Sequence, residues 1–247
     1  MGVFMNAETD GMRCAVFGAS GGIGAALVAA LSARGDVARV FAGARSGCAA
    51  AGPKVSAFAF DLLDEASIKA ACAAIGGRLD LVLVATGRLT YADGGGPEKS
   101  TRAISGDHLA EMFAINSAGP ALIAKHALPL LRKDARATFA AISARVGSIS
   151  DNRLGGWHAY RASKAALNML IQTCAIELAR SHPLAAAVTL HPGTVDTALS
   201  QPFQRGVAPE KLFTAEYSAR RMLEVLEGLT PAHSGKLFAW DGTEVPF

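Results

Sequence analysis

Gly18-Ala19-Ser20-Gly21-Gly22-Ile23-Gly24 separates an apolar run at 13–17 from an alanine- and leucine-rich run at 25–31. The first run reads as a buried strand and the second as a helix. A glycine turn in that setting lets the backbone lie close to a pyrophosphate, where side chains would collide. The unpaired N–H groups of the helix's first turn then face the phosphates. The spacing, Gly-x-x-x-Gly-x-Gly through Gly18, Gly22 and Gly24, differs from the commoner Gly-x-Gly-x-x-Gly. Taken by itself it also suits a plain small-residue turn; the flanking strand and helix are what point to a dinucleotide.

Outward from this turn the pattern repeats. Strands are predicted at 37–44, ended by Arg45, at 55–60, ended by Asp61-Leu62, and at 79–85, which runs into Ala85-Thr86-Gly87. Further strands are predicted at 137–143, at 185–190, stopped by His191-Pro192-Gly193, and at 236–240. Helices are predicted at 65–75, 159–180 and 215–227, with a long one at 105–131 that Gly119-Pro120 can interrupt. Strands alternating with helices imply an α/β fold, a doubly wound parallel sheet of about seven strands with helices on both faces. A chain of 247 residues, 51% hydrophobic and 18% charged, suits one domain over 12–247 behind a loose tail at 1–11. Trp157 and the part 199–213 of the irregular stretch 194–213 suit the lining of a substrate pocket, and Leu199, Phe203 and Phe213 suit ordinary packing equally well.

Bulk properties narrow the function classes. A net charge of +3, without charge blocks, makes no case for nucleic acid. The apolar runs fall short of the ~20 residues that cross a bilayer, and no signal peptide is read. The four cysteines, Cys14, Cys48, Cys72 and Cys174, lack metal or redox spacing, so no metal is expected and a cytoplasmic setting fits.

Three local patterns carry chemistry. At the end of the second predicted strand, Ala44 stands where an acid would bond the ribose of NAD, and Arg45 follows. An arginine there suits the 2′-phosphate, so NADP(H) is preferred and NAD(H) stays possible; a plain solvated arginine is the other reading. Tyr160 and Lys164 lie four apart on a predicted helix and meet on one face. An ammonium there would lower the phenol's pKa and let it exchange a proton with a carbonyl or alcohol, although the spacing is also common on amphipathic helices. Asn116, a mediocre helix former in mid-helix, suggests a polar role. His158 and His191 read as surface or loop-packing residues.

Taken in order, Gly18-x-x-x-Gly22-Ile23-Gly24, Asp61, Gly87, Asn116, Tyr160-x-x-x-Lys164 and Pro192-Gly193 resemble the short-chain dehydrogenase/reductase family over residues 12–245. Gly147-Ser148-Ile149, Asp151-Asn152 and Gly155-Gly156 are similar to its C-factor/sniffer-like carbonyl reductase branch. The resemblance implies a single-domain Rossmann-type NAD(P)-binding fold and an NADP(H)-dependent oxidoreductase acting on a small, largely apolar carbonyl or alcohol. It implies Tyr160 as general acid, Lys164 as its partner and ribose contact, and Asn116 as holder of a relay water. It places Gly18, Ser20, Gly22, Ile23 and Gly24 at the pyrophosphate, and Asp61 and Leu62 at the adenine. Ala85 and Gly87 fall beside the adenosine ribose; Pro192, Gly193, Val195 and Thr197 flank the nicotinamide. Family members commonly pair as homodimers or homotetramers, and Leu167, Leu170, Ile171 and Ile176 offer an apolar stripe for it, although the same stripe must also cover the sheet.

Two departures stand out. Val84-Ala85-Thr86-Gly87 lacks the family's asparagines, and Ala144 occupies the place of its catalytic serine, three residues before Gly147. Ser143 or Ser148 are the candidates to replace that hydroxyl. Without one, the alternative is a cofactor-bound sensor or signalling protein with little turnover.

Overall fold

The computed structural model describes residues 11–46 and 52–247. Positions 1–10 of the expected tail, and Cys48 with the rest of 47–51, lie outside the described residues. The strands are β1 (Met12–Phe17), β2 (Val37–Ala44), β3 (Val55–Ala59), β4 (Leu81–Val84), β5 (Ala137–Ile142), β6 (Ala185–His191), β7 (Thr194–Val195), β8 (Leu212–Phe213), β9 (Leu237–Ala239) and β10 (Glu244–Val245). The helices are α1 (Gly22–Ser32), α2 (Glu65–Ile75), α3 (Gly106–Phe113), α4 (Gly119–Ala127), α5 (His158–Ser181) and α6 (Ala215–Gly228).

Eight strands form one sheet in the order β10-β9-β6-β5-β4-β1-β2-β3, parallel throughout except for β10 against β9. The chain winds outward from β1 to β3, then returns to the other side of β1 with β4 and continues to β6 and β9. The reversal falls between β1 and β4, and a crevice opens there at the carboxyl ends of the strands. β4 reads Leu-Val-Leu-Val and is buried at every position, as a parallel strand covered on both faces should be. On one face α2, α4 and α5 set Ile68, Ile123, Leu167 and Ile171 against Phe17, Val82 and Phe139. On the other, α1 and α6 set Leu27, Leu31, Met222 and Leu226 against Val16, Val40 and Leu83. These two cores hold the carboxyl edge of the sheet rigid beneath the crevice.

The structure adds detail to the sequence reading at four places. β10 adds a short antiparallel edge strand, too brief to leave a periodicity. The expected long helix is α3, a π-helical turn at Ala114–Ala118 and α4 in succession. Pro120 explains the widened turn: it has no N–H to donate to the carbonyl of residue 116, so no α-type bond closes there. The stretch 194–213 is pinned at its base, because β7 pairs with β8 in a second, two-stranded sheet. Last, the apolar stripe divides. Leu167 and Ile171 are spent on the sheet, whereas Leu170 and Ile176 are 37% and 60% exposed.

No helix among the described residues is long and apolar enough to cross a membrane. None of the described His, Cys, Asp and Glu side chains form a group able to hold a metal ion.

Candidate active site

The glycine turn sits at the carboxyl end of β1 as the spacing implies. The N–H groups of Gly18 and Ala19 both donate to the Gly43 carbonyl, at 2.9 and 2.8 Å, which ties the turn to the end of β2. Gly18 has φ +89°, in the left-handed region that favours glycine. A Cβ on Gly24 would lie 2.1 Å from the Gly18 carbonyl oxygen, so the turn closes on the helix only because that side chain is absent. The N-cap of α1 is Gly21, which has no side chain to bond the first turn, and no acid sits in that turn. The positive end of α1 therefore faces the crevice without a protein anion on it.

Two adjoining cavities occupy the crevice, sharing Ala85, Thr86 and Gly87 as their common wall. The outer one, about 330 Å³, is lined by Gly18, Ser20, Arg45, Asp61 and Leu62 among others. Arg45 is exposed at its rim. The Asp61 carboxylate accepts the N–H of Leu63 at 2.9 Å, which fixes the bend into α2. The inner cavity, about 350 Å³, takes Ile23, Pro192, Gly193, Val195 and Thr197 on one side and Tyr160 and Lys164 on another. Its remaining wall is largely apolar, with Leu89, Val146, Trp157, Leu199 and Phe203. Gly22 and Gly24 line neither cavity but shape the turn; a Cβ on Gly22 would meet the Thr197 methyl at 2.8 Å.

Tyr160 and Lys164 project from one face of α5. The Lys164 Nζ lies 5.9 Å from the centre of the Tyr160 ring and donates to the Ile142 carbonyl at 2.9 Å. Both side chains are buried. Burial pushes the phenol's pKa up, and it pushes the Lys164 ammonium down to about 8. This runs against the expectation that the amine lowers the phenol: in the protein alone, loss of water is what shifts the group.

Asn116 lies behind Gly87, fully buried in the π turn. Its Oδ1 accepts the Arg88 N–H at 2.8 Å, and its Nδ2 donates to the Arg88 carbonyl at 2.9 Å and to Ser163 Oγ at 3.2 Å. A Cβ on Gly87 would sit 3.3 Å from Asn116 Oδ1 and 3.5 Å from Lys164 Nζ, which places the three together. The amide is thus spent on the chain that follows Gly87. Pro120 removes the α-helical donor to the backbone carbonyl of residue 116 in the same turn.

Neither serine fills the place of Ala144. Ser143 also lines the inner cavity, but its hydroxyl turns to α5 and donates to Asn168 Oδ1 at 2.7 Å, away from the side of the chain on which Ala144 lies. The Ser148 hydroxyl accepts the Asp151 N–H at 3.1 Å. Ala144 itself lines the inner cavity and packs in the cluster that holds Tyr160. Among the lining residues to which the sequence reading gave no role at the site, Thr86 and His191 carry buried polar atoms. Thr86 lines both cavities, with a buried Oγ1 that has no partner. His191, read as a packing residue, lines the inner cavity, and burial lowers its pKa to about 4. The small-residue run before Gly87 was the available signal for Thr86; nothing local marked His191.

The short chain dehydrogenase family profile matches residues 13–208. The chain belongs to the short-chain dehydrogenase family. It is similar to C-signal of Myxococcus xanthus, 40% identical over 139 residues that cover 56% of this chain and 78% of that protein. It is similar along nearly its whole length to the 1-hydroxy-2-glutathionyl-2-methyl-3-butene dehydrogenase of a Rhodococcus species, at 31% identity over 92% of this chain and 96% of the relative. Among solved structures, the NADPH-bound carbonyl reductase from chicken fatty liver matches with a TM-score of 0.80 at 26% identity, covering 96% of this chain and 95% of that one. As a member of the short-chain dehydrogenase family, the chain is an oxidoreductase with a Rossmann-type fold.

Proposed function

We propose that this short-chain dehydrogenase interconverts a carbonyl and an alcohol on a small, largely apolar substrate, with NADP(H) as redox partner and Tyr160 as the proton donor in reduction. The observation that carries this reading is the inner cavity. It sets a buried phenol and amine against an apolar wall and opens into the crevice over the glycine turn. The residues fit a dinucleotide. The turn is a cradle that a Cβ would fill, and the α1 N-terminus above it has no protein anion. Gly18, Ser20, Gly22, Ile23 and Gly24 would hold the pyrophosphate, with Asp61 and Leu62 at the adenine and Arg45 at the 2′-phosphate. When bound, the nicotinamide supplies the hydride.

The chain's own side chains do the rest. A phenol kept protonated by burial is suited to give its proton to a carbonyl oxygen. Lys164 holds the end of β5 through Ile142 and, from the same face of α5 as Tyr160, would take up the proton balance as Tyr160 is recharged. The carbonyl of residue 116 is the group suited to hold a relay water. Trp157, Leu199 and Phe203 exclude bulk water from the reacting atoms. The exposed face of α5 at Leu170 and Ile176 suits a second copy of the chain.

Ala144 favours a second reading, a nucleotide-bound sensor or signalling protein, because one hydrogen bond to the substrate oxygen is lacking. The similarity to a protein named C-signal supports keeping it. The test is NADPH oxidation by purified protein over a panel of ketones and aldehydes. Tyr160→Phe is expected to lower turnover ~10²-fold or more, the scale of general acid catalysis. The proposal fails if that variant keeps its activity, or if the protein binds neither nucleotide.

A further inference from the structure

Glu98 lies on the stretch 88–101, whose Gly94-Gly95-Gly96-Pro97 reads as a flexible loop. Its side chain is nonetheless buried, 4% exposed. Its two carboxylate oxygens lie 3.3 and 3.2 Å from the Ala159 nitrogen and accept that N–H, while its main-chain carbonyl accepts the Trp157 N–H at 2.5 Å. One residue therefore satisfies two donors at the start of α5 that no carbonyl within the helix can reach.

The helix has no acceptor of its own there. Its N-cap is Trp157, whose indole only donates, and no side-chain cap bond forms. Trp157 also has φ +54°, after Gly155 and Gly156 at +62° and +65°. A bulky residue holds that left-handed conformation only where its surroundings impose it. The consequence reaches the cavity within one turn. The Trp157 ring lies edge-on to Tyr160 at 6.2 Å and to Phe203 at 5.4 Å. A buried carboxylate is also suited to the positive end of a 24-residue helix.

We infer that Glu98 is a positioning residue: it caps α5 from outside the helix and so fixes where Tyr160 and Trp157 stand in the inner cavity. The inference rests on the reading of Tyr160 as the proton-transfer group. Glu98 lines neither cavity, so its loss should move the phenol without disturbing the glycine turn.

Glu98→Ala removes both carboxylate acceptors; Glu98→Gln keeps the length and one acceptor oxygen. In NADPH-dependent turnover, Glu98→Ala is expected to lower kcat ~10- to 100-fold, the scale of a misplacement near 1 Å, with KM for NADPH within about twofold. Glu98→Gln is expected to restore kcat to within about threefold of the parent, since it still accepts from Ala159. Amide exchange over residues 157–161 should quicken in Glu98→Ala only. Should Glu98→Ala not fold, Glu98→Asp, whose shorter side chain withdraws the acceptors, is expected to show the same split. Tyr160→Phe is measured alongside. If Tyr160→Phe stays active, the reading of the site fails. If Tyr160→Phe is inactive while Glu98→Ala keeps parental kcat, or loses NADPH affinity in step with kcat, the positioning role is overturned and the reading of the site stands.

Discussion

Replacing Lys164 with methionine isolates the free energy of a buried ammonium. Burial lowers that group from 10.5 to about 8 in the folded protein. Between those two values the unfolded chain binds more protons at this position than the folded one, so stability rises with pH across the window. Below about pH 8 both states are protonated and the full penalty stands. With roughly 1.4 kcal/mol per pKa unit, integration from pH 7 to pH 9.5 gives a gain of about 2 kcal/mol for the parent. Other buried groups act in the opposite sense. Burial raises Cys14 to about 12 and Cys72 to about 11, so each keeps its proton in the fold and costs stability once the unfolded thiols ionise. The difference between parent and variant removes these contributions. Methionine fills the same space with no charge to desolvate, so Lys164→Met should be no less stable at neutral pH despite losing the bond to Ile142. The assay is urea unfolding of both nucleotide-free proteins across this range, followed by circular dichroism. The stability of the parent relative to the variant should rise by about 2 kcal/mol toward high pH. Curves that stay parallel within about 0.5 kcal/mol would refute the claim that Lys164 is held as a costly buried cation.

Two further outcomes follow from the site. Ala144→Ser restores a hydroxyl beside Tyr160 and should raise kcat on good carbonyl substrates by ~10²- to 10³-fold, the worth of one oxyanion donor; tight NADPH binding with no turnover in either form favours the sensor reading. Arg45→Ala should weaken NADPH ~10-fold or more in a fluorescence titration and leave NADH within about twofold, since only the former carries a 2′-phosphate for the guanidinium. Equal losses would overturn the assignment of Arg45.

The route from sequence to fold was short where the pattern was local. The glycine spacing with its flanking runs marks the β1–α1 turn, because a turn that must close on itself admits no Cβ at Gly24. The placement of Tyr160 over Lys164 follows from helical periodicity alone. The opposite facing of Ser143 and Ala144 follows from strand alternation, and the bond from Ser143 to Asn168 is its consequence. The π turn at Asn116 was half visible: Gly119-Pro120 announced an interruption, but not that the ladder would widen and continue through it as α4.

Charge states and partnerships belonged to the tertiary structure. Whether an amine four residues from a phenol lowers its pKa depends on how much water both lose, and that is set largely by β5, the 145–147 turn and cavity-wall residues such as Leu89 and Phe203, which are distant in sequence. His191 became a cavity residue only once β6 lay beside β5 at the crevice edge. Glu98 found the start of α5 from 61 positions away. Periodicity records which face a residue occupies along its own element; it holds no record of which distant element will cover that face, and desolvation and capping are decided there.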